Sequence, residues 1–258
     1  QNEIDALRHS QQDVFGNARF AAMSGAFGAL GGEFSSLSYN PAGIGMYQFN
    51  EFTFTPSFSL HNSKSYFNTS NIDDDKMGLN ISNLGLVYSM PKNNSEWKRI
   101  NIALGWNQLA SYDRNIRIEG QNSSSSLADR ILELAKEQGV INNLDVFYSL
   151  PAWETYLFDT IPGTGDNGNY FLNLNSNSNK VQSKDIHSTG SENEFIFSMG
   201  GSYNEKLYLG ATVGLPKINY YEKSTYTENS FEDTLYGLQE FNYKEELSVY
   251  GSGVNLKV

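Results

Sequence analysis

The side chains best suited to acid–base or metal chemistry are few and widely separated in this chain. His9, His61 and His187 lack the H-E-x-x-H spacing that places two zinc ligands and a general base on one helix. No G-x-S-x-G nucleophile elbow occurs. The acidic run at 73–75 lacks the calcium-loop pattern that ends in glutamate. The sequence therefore predicts no enzymatic activity, no catalytic residue, no metal site and no cofactor.

The composition is typical of β-structure rather than of disorder. Of the 258 residues only 39% are hydrophobic, yet 14% are aromatic, with 16 Tyr and 16 Phe. Disordered chains are poor in aromatic residues, whereas strands and turns are rich in Tyr, Phe, Thr, Asn and Gly. We therefore expect an all-β protein.

Charge and cysteine content exclude some classes of partner and site. The net charge of −11 disfavours nucleic acid, which binds to basic surfaces. The absence of cysteine leaves neither a disulfide framework nor a cysteine-based metal site. The sequence also has no apolar run of the roughly 18 residues that a membrane-spanning helix needs, so a membrane protein of this sequence would have to be a barrel.

Alternating apolar and polar residues predict six β-strands. In the first, Phe52, Phe54, Phe58 and Leu60 share one face, because successive strand side chains point to opposite sides. Five further segments show the pattern: 80–90, 98–107, 195–199, 207–215 and 241–258. In the last segment the apolar residues change parity, which predicts a bulge near 251–253.

The connections between these strands alternate in length. The turns at 91–98 and 203–206 are short, whereas the connections at 64–79, 119–191 and 227–240 are long. Within the longest, residues 126–139 predict an amphipathic helix that begins after Ser126 and ends at Gly139. Short turns that alternate with long loops are typical of a transmembrane antiparallel β-barrel. Since such barrels need about eight or more strands, we expect further strands beyond Val258.

The N-terminal segment, residues 1–46, is rich in small residues. Ser10 and Asp13 are placed like a capping box, after which apolar residues recur at helical spacing. Glycines interrupt this pattern and predict short helical pieces rather than one helix. Gln1 stands where a leader or Met would be, which suggests a mature chain after removal of an export signal.

The stretch GNARFAAMSGAFGALGGEFSSLSYNPAGIG, residues 16–45, resembles the hatch of the FadL family of outer-membrane transporters. The resemblance includes the motif Asn40, Pro41, Ala42 and Gly43, just before the first strand. It implies a barrel of about fourteen strands, of which roughly the first six lie in 47–258, plugged by a hatch at 1–46. In such a barrel a hydrophobic ligand enters among extracellular loops, passes the hatch and leaves through an opening near a kinked third strand.

Two sets of candidate site residues follow from this resemblance. Hatch side chains that could contact a ligand, or could equally pack the plug, are Phe15, Arg19, Phe20, Met23, Phe27 and Leu30. The candidate kink and lateral opening is formed by Gln108, Leu109, Ala110 and Ser111. Because Tyr112, Ile116 and Ile118 keep the parity of Trp106, the sequence indicates a polar weak point without a register shift, or a straight strand.

The sequence thus favours a channel in the outer membrane of a Gram-negative bacterium. Its expected partners are membrane lipid and hydrophobic small molecules such as long-chain fatty acids, which gain about 0.8 kcal/mol per buried methylene on an apolar track. The alternative is a FadL-like barrel that transports nothing and serves as an accessory subunit of an outer-membrane secretion or barrel-assembly complex. Its long connection at 119–191 would then bind protein.

Overall fold

One antiparallel β-sheet dominates the computed structural model, which describes residues 3–11, 13–229 and 238–258. The strands are β1 (Glu51–Phe67), β2 (Ser70–Pro91), β3 (Trp97–Ser111), β4 (Arg114–Asn122), β5 (Phe158–Thr160), β6 (Tyr170–Leu172), β7 (Lys180–Tyr203), β8 (Leu207–Asn229), β9 (Glu240–Ser252) and β10 (Asn255–Lys257). The helices are α1 (Glu3–Ser10), α2 (Ala18–Ala22), α3 (Leu127–Gln138) and α4 (Ser149–Glu154), with 3₁₀ turns at Ser35–Ser38, Pro41–Met46 and Ile141–Asn143.

The strands of the sheet follow the order β1-β2-β3-β7-β8-β10, and β4 and β9 extend the rows of β3 and β10. Within the described residues the sheet is open, with β1 at one edge and β9 and β10 at the other. We call the end with the turns at 92–96 and 204–206 the lower end, and the end with the turn at 68–69 the upper end. None of the described helices is long and apolar enough to span a membrane.

The prediction of a long connection at 64–79 is wrong, because these residues belong to β1 and β2, apart from the turn at 68–69. The two strands pair without a break from Pro56 to Phe67 and turn at Asn68, which has a φ of 51°. This upper part of the hairpin carries polar residues on both faces, so it lacks the apolar alternation that marks the other strands. The connection predicted at 119–191 shrinks to 123–179. Of the predicted connection 227–240, residues 230–237 lie outside the described residues.

The two faces of the sheet differ in chemistry. One face, which we call the apolar face, exposes large side chains in its lower half, such as Phe58 at 68% and Leu79 at 80%. The opposite face, which we call the packed face, buries small polar residues such as Asn83, Ser198 and Thr212. On β1, β2, β3, β7 and β8 the apolar side chains of this band include Phe52, Phe54, Phe58, Leu60, Met77, Leu79, Leu84, Leu86, Leu104, Phe195, Phe197, Met199, Leu207, Leu209 and Leu215.

A register shift in β3 corrects the sequence interpretation of this strand. The pairing of β3 with β7 slips by one residue between Gln108 and Ala110, so Leu109 is an extra residue. The shift turns Tyr112 and Ile116 toward the packed face, where both line a pocket with Tyr220. In sequence these residues keep the parity of Trp106 because two changes cancel. The extra residue Leu109 shifts the parity by one, and the apolar side chains move from the apolar face to the packed face.

The prediction of a bulge at 251–253 is wrong, because here too the apolar residues change from one face of the sheet to the other. β9 and β10 pair with β8 in one uninterrupted register, from Lys217↔Ser252 to Gly214↔Asn255. Val249 pairs with Tyr220 and lies on the packed face, whereas Leu256 pairs with Val213 and lies on the apolar face. The apolar residues change sides because the upper half of the sheet buries them against other elements.

A small helical layer covers the upper end of the sheet. Its core joins α3, α4 and the β5–β6 hairpin around residues such as Ile131, Phe158 and Tyr170. The predicted helix α3 is confirmed: the Ser126 side chain accepts a hydrogen bond from the Ala128 N–H at 3.1 Å, and the helix ends at Gly139, whose φ is 83°.

Candidate functional site

The N-terminal segment lies on the packed face, where glycines make room for it. Phe34 is fully buried against Gly85 and Gly105, which are cross-strand partners in β2 and β3. A Cβ on Gly85 would lie 2.5 Å from Cδ2 of Phe34, and one on Gly105 would lie 2.5 Å from its Cζ. The phenyl ring therefore occupies the space that two side chains would fill.

The predicted motif Asn40, Pro41, Ala42 and Gly43 forms the second contact with the sheet. The Asn40 side chain accepts a hydrogen bond from the Ala42 N–H at 3.1 Å and starts a 3₁₀ turn with Pro41 in its first position. Asn40 Nδ2 also donates to the carbonyl of Gly28. The turn then packs its backbone against glycines of β7 and β8. Pro41 approaches Gly210, and a Cβ on Gly45 would lie 2.6 Å from the Gly201 carbonyl oxygen.

Asparagine side chains on the packed face fix the segment by hydrogen bonds. Asn107 Nδ2 donates to Ser38 Oγ at 2.9 Å, and Asn83 Nδ2 donates to Asn107 Oδ1 at 2.8 Å. Asn101 Nδ2 donates to the carbonyl of Ile44 at 2.7 Å. Because buried amides need partners, these contacts define one position of residues 34–47 on the sheet.

Glu33 is a buried carboxylate within the same segment. Its two oxygens accept hydrogen bonds from the backbone N–H groups of Ser35 at 2.9 Å and Ser36 at 2.8 Å. Burial raises the pKa of Glu33, and these hydrogen bonds oppose the shift without cancelling it. The carboxylate thus holds the start of the turn that brings Ser38 to Asn107.

The candidate ligand-contact residues of the hatch separate into two groups. Phe20 and Phe27 are buried inside the segment, with ring centroids 5.9 Å apart, and Arg19 Cζ lies 5.1 Å from the Phe27 centroid. Met23 and Leu30 are exposed, and Phe15 is half-buried. The first group packs the segment and the second lies at its surface. Contact of either group with a ligand stays a prediction.

The candidate kink at 108–111 coincides with the end of the hydrogen-bonded ladder between β2 and β3. This ladder ends at Asn83↔Asn107, two residues before the extra residue Leu109. Asp13 from the N-terminal segment occupies the released edge of β3. Its N–H donates to the Leu109 carbonyl at 2.9 Å, and its Oδ2 accepts from the Ser111 N–H at 3.3 Å. The role of this end of the ladder as a lateral opening stays a prediction.

The capping box predicted at Ser10 and Asp13 is wrong, whereas short helical pieces do follow it, at Ala18–Ala22, Ser35–Ser38 and Pro41–Met46. Ser10 is the last residue of α1, and its hydroxyl donates back to the Leu7 carbonyl at 2.9 Å. The α1 helix lies on the upper packed face, where Arg8 Cζ is 4.5 Å from the Tyr220 ring centroid and Arg8 Nη2 is 3.6 Å from Glu222.

The three histidines remain in separate surroundings. His9 Nδ1 lies 3.3 Å from the Tyr112 hydroxyl, and His187 Nδ1 lies 3.0 Å from Asn115 Oδ1. His61 lies on β1, in the polar upper hairpin. In the part of the chain that the structure describes, no three His, Asp or Glu side chains group as metal ligands.

A cleft of about 900 Å³ opens at the upper end between the helical layer and β9. The helical layer contributes Val146, Phe147 and Tyr148, and the packed face of β9 contributes Tyr243 and Glu245. Phe147 is 72% exposed and Val146 is 65% exposed, so both offer apolar surface to the cleft.

No family model matches this chain, and no curated protein or solved structure shows a significant match to it. The geometry alone defines the class of molecule: a two-faced antiparallel sheet with an N-terminal segment packed on one face.

Several residues of the site carried no signal in sequence for the contacts that they make. Asp13 accepts a hydrogen bond from the backbone of Ser111, which is distant in the chain, and Glu33 accepts one from the backbone of Ser35, which lies in an irregular segment. Glu245 belongs to a pattern that looked like an ordinary polar strand. Gly85 and Gly105 did carry a signal, because glycine inside an alternating strand marks a close approach of another group.

Proposed function

We propose that this chain belongs to a FadL-like outer-membrane β-barrel that conducts hydrophobic compounds. The observation that carries the proposal is that one sheet has an exposed apolar face and, on its other side, a packed face that holds the N-terminal segment. In the proposed barrel of about fourteen strands, further strands pair with the edges formed by β1 and by β9 and β10.

The apolar face supports a location in lipid. Soluble monomers rarely expose contiguous apolar patches larger than a few hundred Å². Here Phe52, Leu86 and Leu104 lie side by side on β1, β2 and β3, and each is at least 45% exposed. Such a band is what the lipid-facing wall of a barrel requires, since its other face lines the lumen.

The N-terminal segment supports the role of a plug. It fills the packed face from Phe34 to Tyr47 and reaches the break in the β2–β3 ladder through Asp13. We propose that release of Asp13 opens a path between β2 and β3 for the ligand. This path would let an apolar chain leave sideways into lipid without entering water, which avoids a cost of about 0.8 kcal/mol per methylene.

Location in lipid is tested by paired cysteine labels, since the native chain has no cysteine. Single cysteines replace Phe54 on the apolar face and Thr53 on the packed face, each carries a fluorophore, and the protein is reconstituted with brominated lipid. We expect strong quenching at position 54 and weak quenching at position 53. Equal quenching at both positions would reject the membrane wall.

Transport is tested by uptake of labelled long-chain fatty acid and of a neutral hydrophobic dye. Cells that produce the full-length protein are compared with cells that produce a variant lacking residues 1–45, with the amount of folded protein in the membrane measured for both. We expect the full-length protein to take up at least one of the two compounds, and the variant to take up that compound at a changed rate. Indifference to the deletion would count against a gated path.

The accessory role has one observation in its favour. The helical layer exposes Phe147 and Tyr156, both at 72%, at the upper end of the sheet. Exposed aromatic residues of this kind often anchor protein interfaces. Stable co-purification of a defined outer-membrane complex, lost on Phe147→Ser and Tyr156→Ser, together with no uptake, would favour this role.

A further inference from the structure

The upper cleft combines aromatic rings with an excess of negative charge. The rings are Phe147, Tyr148, Phe241 and Tyr243. The charged side chains of the packed face that line it are two carboxylates, Glu222 and Glu245. A cleft of this charge repels a carboxylate ligand and attracts a cation.

Glu245 and two tyrosines form the most specific part of the cleft. The Tyr148 and Tyr243 rings are stacked, with centroids 5.5 Å apart and an interplanar angle of 23°. Glu245 Oε1 accepts from the Tyr148 hydroxyl at 3.5 Å and from the Tyr243 hydroxyl at 3.4 Å.

No cationic side chain of the described residues lies within ion-pair distance of Glu245. The carboxylate therefore faces the cleft with only hydroxyl partners. A carboxylate beside aromatic rings matches an organic cation, which gains both ionic attraction and cation–π attraction.

The same wall already binds a cation from the protein itself. Arg8 lies against Tyr220 and Glu222, with distances of 4.5 Å to the ring centroid and 3.6 Å to the carboxylate. Glu222 also lines the cleft, one strand away from Glu245. A ring and a carboxylate on the packed face of β8 thus hold a guanidinium group, and Tyr243 with Glu245 repeats this chemistry on β9.

We propose that the upper cleft binds hydrophobic organic cations, such as aromatic or alkyl ammonium compounds, in preference to carboxylates. The ammonium group lies between Glu245 and the Tyr148–Tyr243 pair, and the apolar part contacts Phe147 and Val146. This inference rests on the proposed function in one respect, namely that the cleft is the entrance of the conduit and therefore sets the class of transported compound.

Calorimetric titration of the purified full-length protein at low salt tests the proposal, in nanodiscs or, if it does not insert, in buffer. The probes are phenylpropyltrimethylammonium and 4-phenylbutanoate, which share a phenylalkyl body and carry opposite charges. We expect the cation to bind and the anion to bind at least roughly tenfold more weakly.

Two matched variants locate the effect. Glu245→Gln keeps an acceptor but removes the charge, and we expect it to weaken cation binding by roughly tenfold. Glu246→Gln removes the neighbouring charge, which lies on the opposite face of β9 at 3.6 Å from Lys223, and we expect little change. Equal binding of both probes, no binding of the cation, or equal effects of the two variants would overturn the proposal.

The outcome of this experiment does not depend on whether the transport proposal is correct. Binding is measured without a membrane potential or uptake, so an absence of transport leaves the cation preference standing. Conversely, uptake of a neutral dye with no cation preference would retain the conduit and reject the assignment of its substrate class.

Discussion

At the scale of single residues, the packed face depends on glycines, which leave space for the N-terminal segment. Phe34 fills the space above Gly85 and Gly105, and the 3₁₀ turn at 41–46 fills the space above Gly200 and Gly210. In sequence these glycines mark close approach, but the partner was not visible because Phe34 lies in an irregular segment. Only the tertiary structure therefore shows which group approaches these glycines.

Gly85→Ala should displace the Phe34 ring and destabilise the fold by about 1–3 kcal/mol, as overpacking does. Phe34→Ala should cost about 3–5 kcal/mol because it leaves a cavity. Since the new methyl group enters that cavity, the double variant should be more stable than the sum of the two losses predicts. Urea unfolding measures all three variants, and Gly28→Ala, which has nothing within 4 Å, is the control. Strict additivity would show that the two sites do not touch.

Glu33 should give the N-terminal segment a measurable pH dependence. Its pKa is raised above 4.5 in the folded state, so its contribution to stability is complete below that value and is lost as pH rises through the folded pKa. As the pH rises above 4.5, the free energy of unfolding should therefore fall more steeply in the native protein than in Glu33→Gln. Parallel pH profiles for the two proteins would contradict the assignment.

At the scale of elements, the strands show how far periodicity can be trusted. The lower halves of β1, β2, β3, β7 and β8 follow the predicted alternation, because one side of each is exposed and apolar. Above the register shift in β3 the apolar side chains turn to the packed face, as Tyr112 and Val249 show. Alternation records which face is apolar at each height, so it cannot distinguish a bulge from a change in surroundings.

The helical layer should depend on one carboxylate of β8. Glu228 is fully buried and accepts from Ser126 Oγ at 2.6 Å, from the Leu127 N–H at 2.8 Å and from Gln182 Nε2 at 3.0 Å. Glu228→Ala leaves these donors without a partner, at a cost of about 1–3 kcal/mol for each buried group. Limited proteolysis should then cut faster at 123–126, where α3 begins.

Glu133→Ala provides the control for this prediction, because its carboxylate lies on the exposed side of α3, 3.1 Å from Arg130. An exposed ion pair of this kind contributes little to stability. If both variants are cut at the native rate, Glu228 does not hold the helical layer on the sheet.

At the scale of the whole molecule, three features occur together: an apolar face, an N-terminal segment on the packed face, and a break in the β2–β3 ladder beside Asp13. The sequence predicted the antiparallel β-class and the helix α3, because their signals are local. It did not predict the Asp13 contact or the upper cleft, because both join residues that are far apart in the chain.

The most direct measurement of the central claim is uptake of a hydrophobic compound while the plug is tethered to the wall. Cysteines replace Asp13 and Ser111, and a short reducible thiol cross-linker joins them; in the native chain Asp13 Oδ2 lies 3.3 Å from the backbone nitrogen of Ser111. The matched control joins cysteines at Asn62 and Asp75, a facing pair within the β1–β2 hairpin. We predict that the tether at 13 and 111 stops uptake, that reduction restores it, and that the control tether has no effect. Uptake that continues through the tethered protein, or that is absent from the untethered protein, would contradict the account.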